Sequence, residues 1–233
     1  MKEKSEFSRF AFGLGLAFGL PWLLLVVVPY VKLSAIEPVA YTEADGAEGL
    51  ISYPQKAAGG NVATGERLYD SLGCAYCHTQ MVRPTYAGAD MWRGWGGRQE
   101  GGLARETRPE DYWGDTRAML GYVRIGPDLA NVGWRTSDRA ALHQHLYSPR
   151  SVNRESVMPG YESLYEVRKV LGQPSASAIQ LDGKFAPEAG FEVVPTSDAE
   201  ALVDYLISRK KDAPIPGSGS EAGAEGDSAA ATQ

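Results

Sequence analysis

The feature that most constrains this chain is the segment Cys74-Ala75-Tyr76-Cys77-His78. Its two cysteines are the only two in 233 residues, and His78 is one of just three histidines. This is the attachment pattern of c-type haem, in which two thiols add to the vinyl groups of the porphyrin and the adjacent imidazole binds the iron. The segment predicts one covalently bound haem c, with Cys74 and Cys77 as thioether positions and His78 as an axial ligand.

Three other readings of the two cysteines are weaker. A zinc site needs two more ligands and would have to recruit His143, His145 or a carboxylate. A thioredoxin-like pair would follow a strand, whereas the residues before Cys74 have helical spacing. A disulfide between positions three apart would close almost no loop and so would add little stability.

A charge-free run of 22 residues, from position 10 to 31, lies near the N-terminus. As a helix it would measure about 33 Å at ~1.5 Å per residue, enough to cross a hydrocarbon core of ~30 Å. A cleaved signal peptide would have a shorter apolar region followed by a small-residue cleavage site, which is missing here. The run therefore predicts a single transmembrane anchor.

Basic residues are placed unevenly around this anchor. Lys2, Lys4 and Arg9 precede it, whereas only Lys32 follows it before position 56. The positive-inside rule then puts the N-terminus in the cytoplasm and the rest of the chain on the periplasmic side of a bacterial inner membrane. Covalent haem attachment in bacteria is also extracytoplasmic. Within the anchor, Gly15 and Gly19 form a G-x-x-x-G pattern that could pack against another helix.

The remaining chain divides by composition. We predict a cytoplasmic N-terminus at 1–9, the anchor at 10–31, a linker at 32–62, a haem domain at 63–212 and a disordered acidic tail at 213–233. The tail supplies part of the net charge of −6. Apolar spacing predicts helices at about 64–72, 137–147 and 197–210, the last starting with a capping box at Ser197. Gly65 and Tyr205 are predicted to meet where the first and last helices pack.

The second iron ligand has several candidates in the sequence. Met81 is disfavoured because it follows His78 too closely to reach the other face of the haem. Met158 precedes a proline and a glycine that could present its thioether from the opposite side, and a thioether would raise the haem potential. His143 and His145 point to different faces of one helix, so each reads better as a packing or hydrogen-bonding residue. The full set is Met81, Met91, Met119, Met158, His143 and His145.

Two further segments bear on the haem site. Gly126 and Pro127 begin a rigid turn that could place the Pro127 carbonyl against the N–H of His78, fixing the tautomer of an axial histidine. Residues 91–113 form a long glycine-rich loop with interleaved tryptophans and arginines. Those arginines could pair with haem propionates and the tryptophans could contact a partner, although a surface loop with its own aromatic cluster explains them equally well.

Taken in order, these motifs carry a family resemblance. The chain resembles the membrane-anchored mono-haem subunit II of cbb3-type cytochrome c oxidase over most of residues 10–210. The anchor comes first, and the matching segments then follow in order at 73–84, 126–129, 145–152 and 156–161. The stretch at 94–97 and the extension at 172–194 fit the common family pattern less well.

The resemblance implies a mainly α, class I cytochrome c-like haem domain on a single transmembrane helix. It implies His78 and Met158 as axial ligands and makes Arg83 a candidate contact for a haem propionate. The chain would relay electrons and would not itself reduce oxygen. Its expected partners are a multi-spanning catalytic subunit with haem b and copper, a further haem c subunit and a soluble or anchored cytochrome c donor, with no nucleic acid.

Two other functions remain open from the sequence. An anchored cytochrome could shuttle electrons alone from a quinol-oxidising complex to some acceptor. The small haem subunit of a nitric oxide reductase also combines one anchor with one haem c. The proteins that co-purify with the chain would discriminate among the three.

Overall fold

The computed structural model describes residues 2–35, 59–97, 104–112, 115 and 117–211, with side chains from residue 6 onward. Two compact units, Met1–Ala40 and Tyr41–Gln233, divide the chain. Residues 36–58 of the predicted linker and all of the predicted acidic tail lie outside the described residues. The domain limits that composition predicts therefore stay predictions.

The described residues of the first unit form one helical run, α1, made of consecutive segments Lys2–Leu14, Gly15–Gly19, Leu20–Trp22, Leu23–Val27 and Val28–Ser34. Its part from Glu6 to Ser34 has 29 residues and a mean hydropathy of 2.3 in its apolar window, none of which is buried. This helix is long and apolar enough to be the expected membrane anchor.

Two turns of α1 are wider π-helical turns, and each precedes a proline. A proline ring clashes with the carbonyl four residues earlier, which is Ala17 for Pro21 and Leu25 for Pro29. Ala17 lies within the π turn Gly15–Gly19 and Leu25 within the π turn Leu23–Val27. The wider turns therefore coincide with the positions where an ordinary helix would meet the proline rings.

The second unit is built on two helices that pack across each other, α2 (Gly60–Ser71) and the C-terminal helix α6 (Ser197–Ser208). Gly65 of α2 faces α6 so closely that a Cβ there would lie 2.6 Å from Cβ of Tyr205 and even nearer the Ala201 carbonyl oxygen. The rings of Tyr69 and Tyr205 meet beside this point, with centroids 5.3 Å apart. The predicted contact between Gly65 and Tyr205 is confirmed.

The ends of α6 differ from those predicted. Its N-cap is Thr196, whose hydroxyl accepts a hydrogen bond from the Ala199 N–H, so the capping box predicted at Ser197 is wrong by one residue. The helix ends at Ser208 and not near residue 210, because the backbone becomes extended at Arg209. Lys211 is then only 1% exposed, and its Nζ contacts the Asp115 carboxylate at 2.6 Å.

Between α2 and α6, the described residues of the second unit form short elements. Three helices are α3 (Val132–Arg135), α4 (Arg139–Tyr147) and α5 (Pro149–Val152), and Asp138 caps α4. Single 3-10 turns lie at Cys74–Tyr76, Pro109–Tyr112, Glu162–Leu164 and Gly183–Phe185. The helix predicted at 137–147 is therefore confirmed, with its start moved to residue 139.

A two-stranded antiparallel sheet, which the sequence did not predict, occupies part of the extension after Met158. Strand β1 is Tyr165–Lys169 and strand β2 is Phe191–Pro195, and Val167 pairs with Val193. β2 is the better buried strand, with Val193 in the core together with Leu202 and Leu206 of α6, whereas in β1 only Tyr165 is buried. The described chain is thus mainly helical, as predicted, with one hairpin added next to α6.

Because Gly65 lies against backbone and Cβ atoms of α6, a methyl group has no room there. Gly65→Ala should lower the free energy of unfolding by about 1–3 kcal/mol, the usual cost of overpacking. Thermal unfolding of the full-length chain in detergent should show a fall of about 2–4 °C per kcal/mol. Gly59→Ala is the matched control, since a Cβ at Gly59 meets no atom within 4 Å. Equal melting temperatures for the two variants would contradict the packing described.

Candidate haem site

A pocket of about 380 Å³ opens between α2, α4, α6 and the segments that follow residues 74 and 126. Its walls are mostly apolar, and Arg135 is the one residue among them that carries a permanent charge. A ligand that fits such walls has a large apolar body and an anionic group. The lining consists of Tyr69, Cys74, His78, Pro127, Leu129, Val132, Arg135, Thr136, Ala141, Leu142, His145, Leu146, Val152, Met158, Tyr161, Leu202 and Leu206.

Cys74 reaches the pocket wall through a sharp reversal at the end of α2, whereas Cys77 is not among the residues of the described lining. Gly73 adopts a left-handed conformation (φ 76°), which only glycine takes without strain, and the 3-10 turn Cys74–Tyr76 follows. The His78 N–H then donates to the Cys74 carbonyl at 3.0 Å, so the two residues are fixed relative to each other. The two cysteines are not joined in a disulfide, and burial raises the pKa of the Cys74 thiol.

His78 lies against the turn that begins at Gly126. Its Nδ1 is 2.8 Å from the Pro127 carbonyl oxygen. Since a carbonyl only accepts, Nδ1 carries the proton and Nε2 keeps its lone pair. Gly126 packs directly on the ring, because a Cβ at that position would lie 2.7 Å from Nδ1. Burial lowers the pKa of His78, which favours the neutral imidazole that binds a metal ion.

The positions of the candidates for the second, distal iron ligand show which of them line the pocket. Met158 and His145 line the pocket. Met119 belongs to the hydrophobic core, the Met91 sulfur packs on Gly96, 2.5 Å from where a Cβ would lie, and Met81 is more than a third exposed. None of these three methionines contributes to the pocket wall.

His143 lies apart from the pocket on the inner side of α4. Its Nδ1 is 3.2 Å from the Tyr165 hydroxyl, and its ring meets the Tyr165 ring edge-on. Burial lowers the pKa of His143. Its described contacts match the prediction of a packing and hydrogen-bonding histidine. His145 differs, because the structure puts it in the pocket wall, and it remains an alternative ligand.

Arg83 lies away from the pocket wall, and its guanidinium binds the buried Asp90 carboxylate at 2.8 Å. The geometry thus gives no support to the predicted propionate contact. The cation in the wall is Arg135, at the end of α3, whose guanidinium donates to the Asp128 carbonyl. The sequence analysis did not identify Arg135 as a pocket residue. The one sign of it in the sequence is that an arginine follows soon after the 126–129 turn.

The aromatic, basic loop at 91–113 is described only in part, since 98–103 and 113 lie outside the described residues. Trp95 is buried beneath the guanidinium groups of Arg93 and Arg124, whereas Trp92 is 81% exposed. Arg105 pairs with Asp111 of the same loop at 2.6 Å. Arg105 is thus paired within the loop, whereas the Trp92 side chain is exposed.

The pocket residues fit a haem better than the alternative cofactors. The walls offer an apolar cleft, a neutral imidazole, a thioether and one cation for a carboxylate. Among the described residues, no group of three or more His, Cys, Asp or Glu side chains could hold a metal ion, so the zinc reading has no ligand set there. A mainly helical domain with such a pocket defines a cytochrome c-like protein.

Comparison with known proteins gives the family. The family model described as cytochrome c oxidase, mono-heme subunit/FixO, matches residues 23–178. Because this match covers more than half of the chain, the protein belongs to the FixO family of mono-haem cytochrome c oxidase subunits. The resemblance to subunit II of cbb3-type oxidase is confirmed. A search among curated proteins found no match.

Proposed function

We propose that this member of the family of mono-haem oxidase subunits holds one haem c through thioethers of Cys74 and Cys77, with His78 and Met158 as axial iron ligands. It relays electrons to the oxygen-reducing subunit. The observation that carries this proposal is the pocket itself. Its wall contains Cys74, His78 and Met158, although Met158 lies 80 residues beyond His78 in sequence.

Each pocket residue has a separate task in this proposal. A bound haem supplies a one-electron iron centre. The Pro127 carbonyl orients the His78 imidazole through Nδ1 and makes its Nε2 more basic. A Met158 thioether would stabilise ferrous iron and raise the potential. Arg135 lines the pocket and would bind a propionate, and the apolar wall, including Leu202 and Leu206, would exclude water.

With both axial positions filled by protein side chains, the iron would have no site for oxygen. The chain would therefore transfer electrons without contacting the oxidant, and oxygen reduction would belong to another subunit of the complex. We propose a multi-spanning subunit with haem b and copper as the acceptor. A further haem c subunit, or a soluble or anchored cytochrome c, would be the donor.

The membrane arrangement follows from the anchor helix. The family and the apolar helix α1 support attachment to a membrane. The basic residues before the apolar run favour a cytoplasmic N-terminus in the bacterial inner membrane, with the haem domain on the periplasmic side. The family match favours the oxidase subunit over a stand-alone shuttle or a nitric oxide reductase subunit.

Covalent attachment can be tested on a denaturing gel. The full-length chain should show haem-linked peroxidase staining, because thioether bonds survive denaturation. Replacing both Cys74 and Cys77 by alanine should abolish the staining while the band remains visible by protein stain. Met119→Leu, a core methionine outside the pocket, is the matched control and should stain as the wild type does. Staining that persists without the two cysteines would refute covalent attachment through them.

The distal ligand can be tested by comparing the two remaining candidates. Met158→Leu should keep the haem attached, remove the weak sulfur-to-iron charge-transfer band of the ferric protein and lower its midpoint potential. His145→Leu should leave the band in place, because His145 then only lines the wall. The opposite pattern, with the band and potential intact in Met158→Leu and altered in His145→Leu, would assign the ligand to His145.

The place of the chain in an oxidase can be tested by purification. The tagged full-length chain should co-purify from detergent with a multi-spanning subunit that contains haem b and copper. In that complex Met158→Leu should slow oxygen consumption driven by reduced cytochrome c, because the relay potential falls, while Met119→Leu should not. Recovery with a non-haem-iron partner, or undiminished turnover in Met158→Leu, would contradict the proposed relay.

A further inference from the structure

Asp128 follows Pro127 directly, and its side chain is 0% exposed. The carboxylate accepts three hydrogen bonds: from the Thr79 hydroxyl at 2.6 Å, from the Met81 N–H at 2.8 Å and from the Ala130 N–H at 2.9 Å. Thr79 and Met81 belong to the segment that immediately follows His78. The side chain therefore joins the segment after His78 to the turn that carries Pro127.

Backbone hydrogen bonds connect the same two segments on either side of Asp128. The Gly126 N–H donates to the Cys77 carbonyl at 2.9 Å, and the Leu129 N–H donates to the Thr79 carbonyl at 2.7 Å. The contact between Nδ1 of His78 and the Pro127 carbonyl lies between these two bonds along the chain. The position of that carbonyl thus depends on how firmly the turn is held.

We propose that Asp128 is a positioning residue that holds the Pro127 carbonyl on Nδ1 of His78 and thereby sets the basicity of the iron-binding imidazole. The proposal rests on the proposed role of His78 as an axial ligand. Asp128 itself is absent from the pocket wall, so it acts through Pro127 and not on the haem.

A carboxylate suits this position because every group around it donates. One oxygen, Oδ2, accepts from Thr79 and Met81, and the other, Oδ1, accepts from Ala130. An asparagine amide would turn an N–H toward one of these donors, and at least one hydrogen bond would be lost. A buried donor without a partner is costly, so the turn would shift to relieve it.

The direction of the effect follows from the hydrogen bond to His78. A strong acceptor at Nδ1 makes the imidazole a better electron donor, which stabilises ferric iron and lowers the midpoint potential. Weakening the hydrogen bond between Nδ1 of His78 and the Pro127 carbonyl should therefore make the midpoint potential of the haem more positive. It should also speed solvent exchange of the Nδ1 proton, by about tenfold if one charge-assisted hydrogen bond is lost.

The test compares Asp128→Asn, Thr79→Val and Thr79→Ser in the full-length, haem-loaded chain. Asp128→Asn also removes a negative charge, which by itself would raise the potential, so Thr79→Val is the decisive variant because it changes no charge. Thr79→Ser keeps the hydroxyl and should restore wild-type values. Thr107→Val is the matched control, since the Thr107 hydroxyl donates to the Val82 carbonyl and does not contact Asp128.

Two measurements read out the result: the midpoint potential, and Nδ1 proton exchange of the reduced protein labelled with ¹⁵N-histidine, which gives signals from only three residues. A more positive potential and faster exchange in Thr79→Val, with rescue in Thr79→Ser and no change in Thr107→Val, supports the proposal. Wild-type potential and exchange in Thr79→Val overturns it, whether or not Asp128→Asn folds. A wild-type His78 signal without the large shift of a haem-bound ring would instead refute the proposed ligation.

Discussion

The haem site depends on the docking of the turn at 126–129 against the segment that contains Cys77 and His78. The backbone bonds from Gly126 and Leu129, the Asp128 carboxylate and the Pro127 carbonyl all act across this one boundary. Gly126 permits the approach, because any side chain there would occupy the position of the imidazole. Without this docking, neither the orientation of the imidazole nor the tautomer with its proton on Nδ1 would be fixed.

The packing of α2 against α6 forms one wall of the same pocket. Their close approach at Gly65 brings Tyr69 of α2 and Leu202 and Leu206 of α6 into one apolar wall of the pocket. The wall also receives Met158 from a segment that is remote in sequence. Assembly of the site therefore requires α2 and α6 to meet, and a chain that stopped before α6 would lack one side of the pocket.

Local features were predictable from the sequence and long-range ones were not. The cysteine and histidine spacing, the turn at Gly126 and the period of the main helices are encoded within a few residues of one another. The hairpin was missed because β1 is mostly exposed and gains its stability from β2, more than twenty residues later. Arg135 was missed for a similar reason, since nothing local to it shows that it faces the pocket.

The buried ammonium group of Lys211 sets a limit on how the chain can be shortened. Lys211 lies beyond the end of α6, yet it reaches the Asp115 carboxylate and the Asp111 carbonyl, and its ammonium group lies over the Tyr112 ring. A boundary drawn at the end of α6 would remove this cation and leave a carboxylate with little exposure to water and one fewer partner. The smallest folded unit must therefore include both Asp115 and Lys211, which pair although they lie 96 residues apart in sequence. A fusion or affinity tag belongs after residue 211.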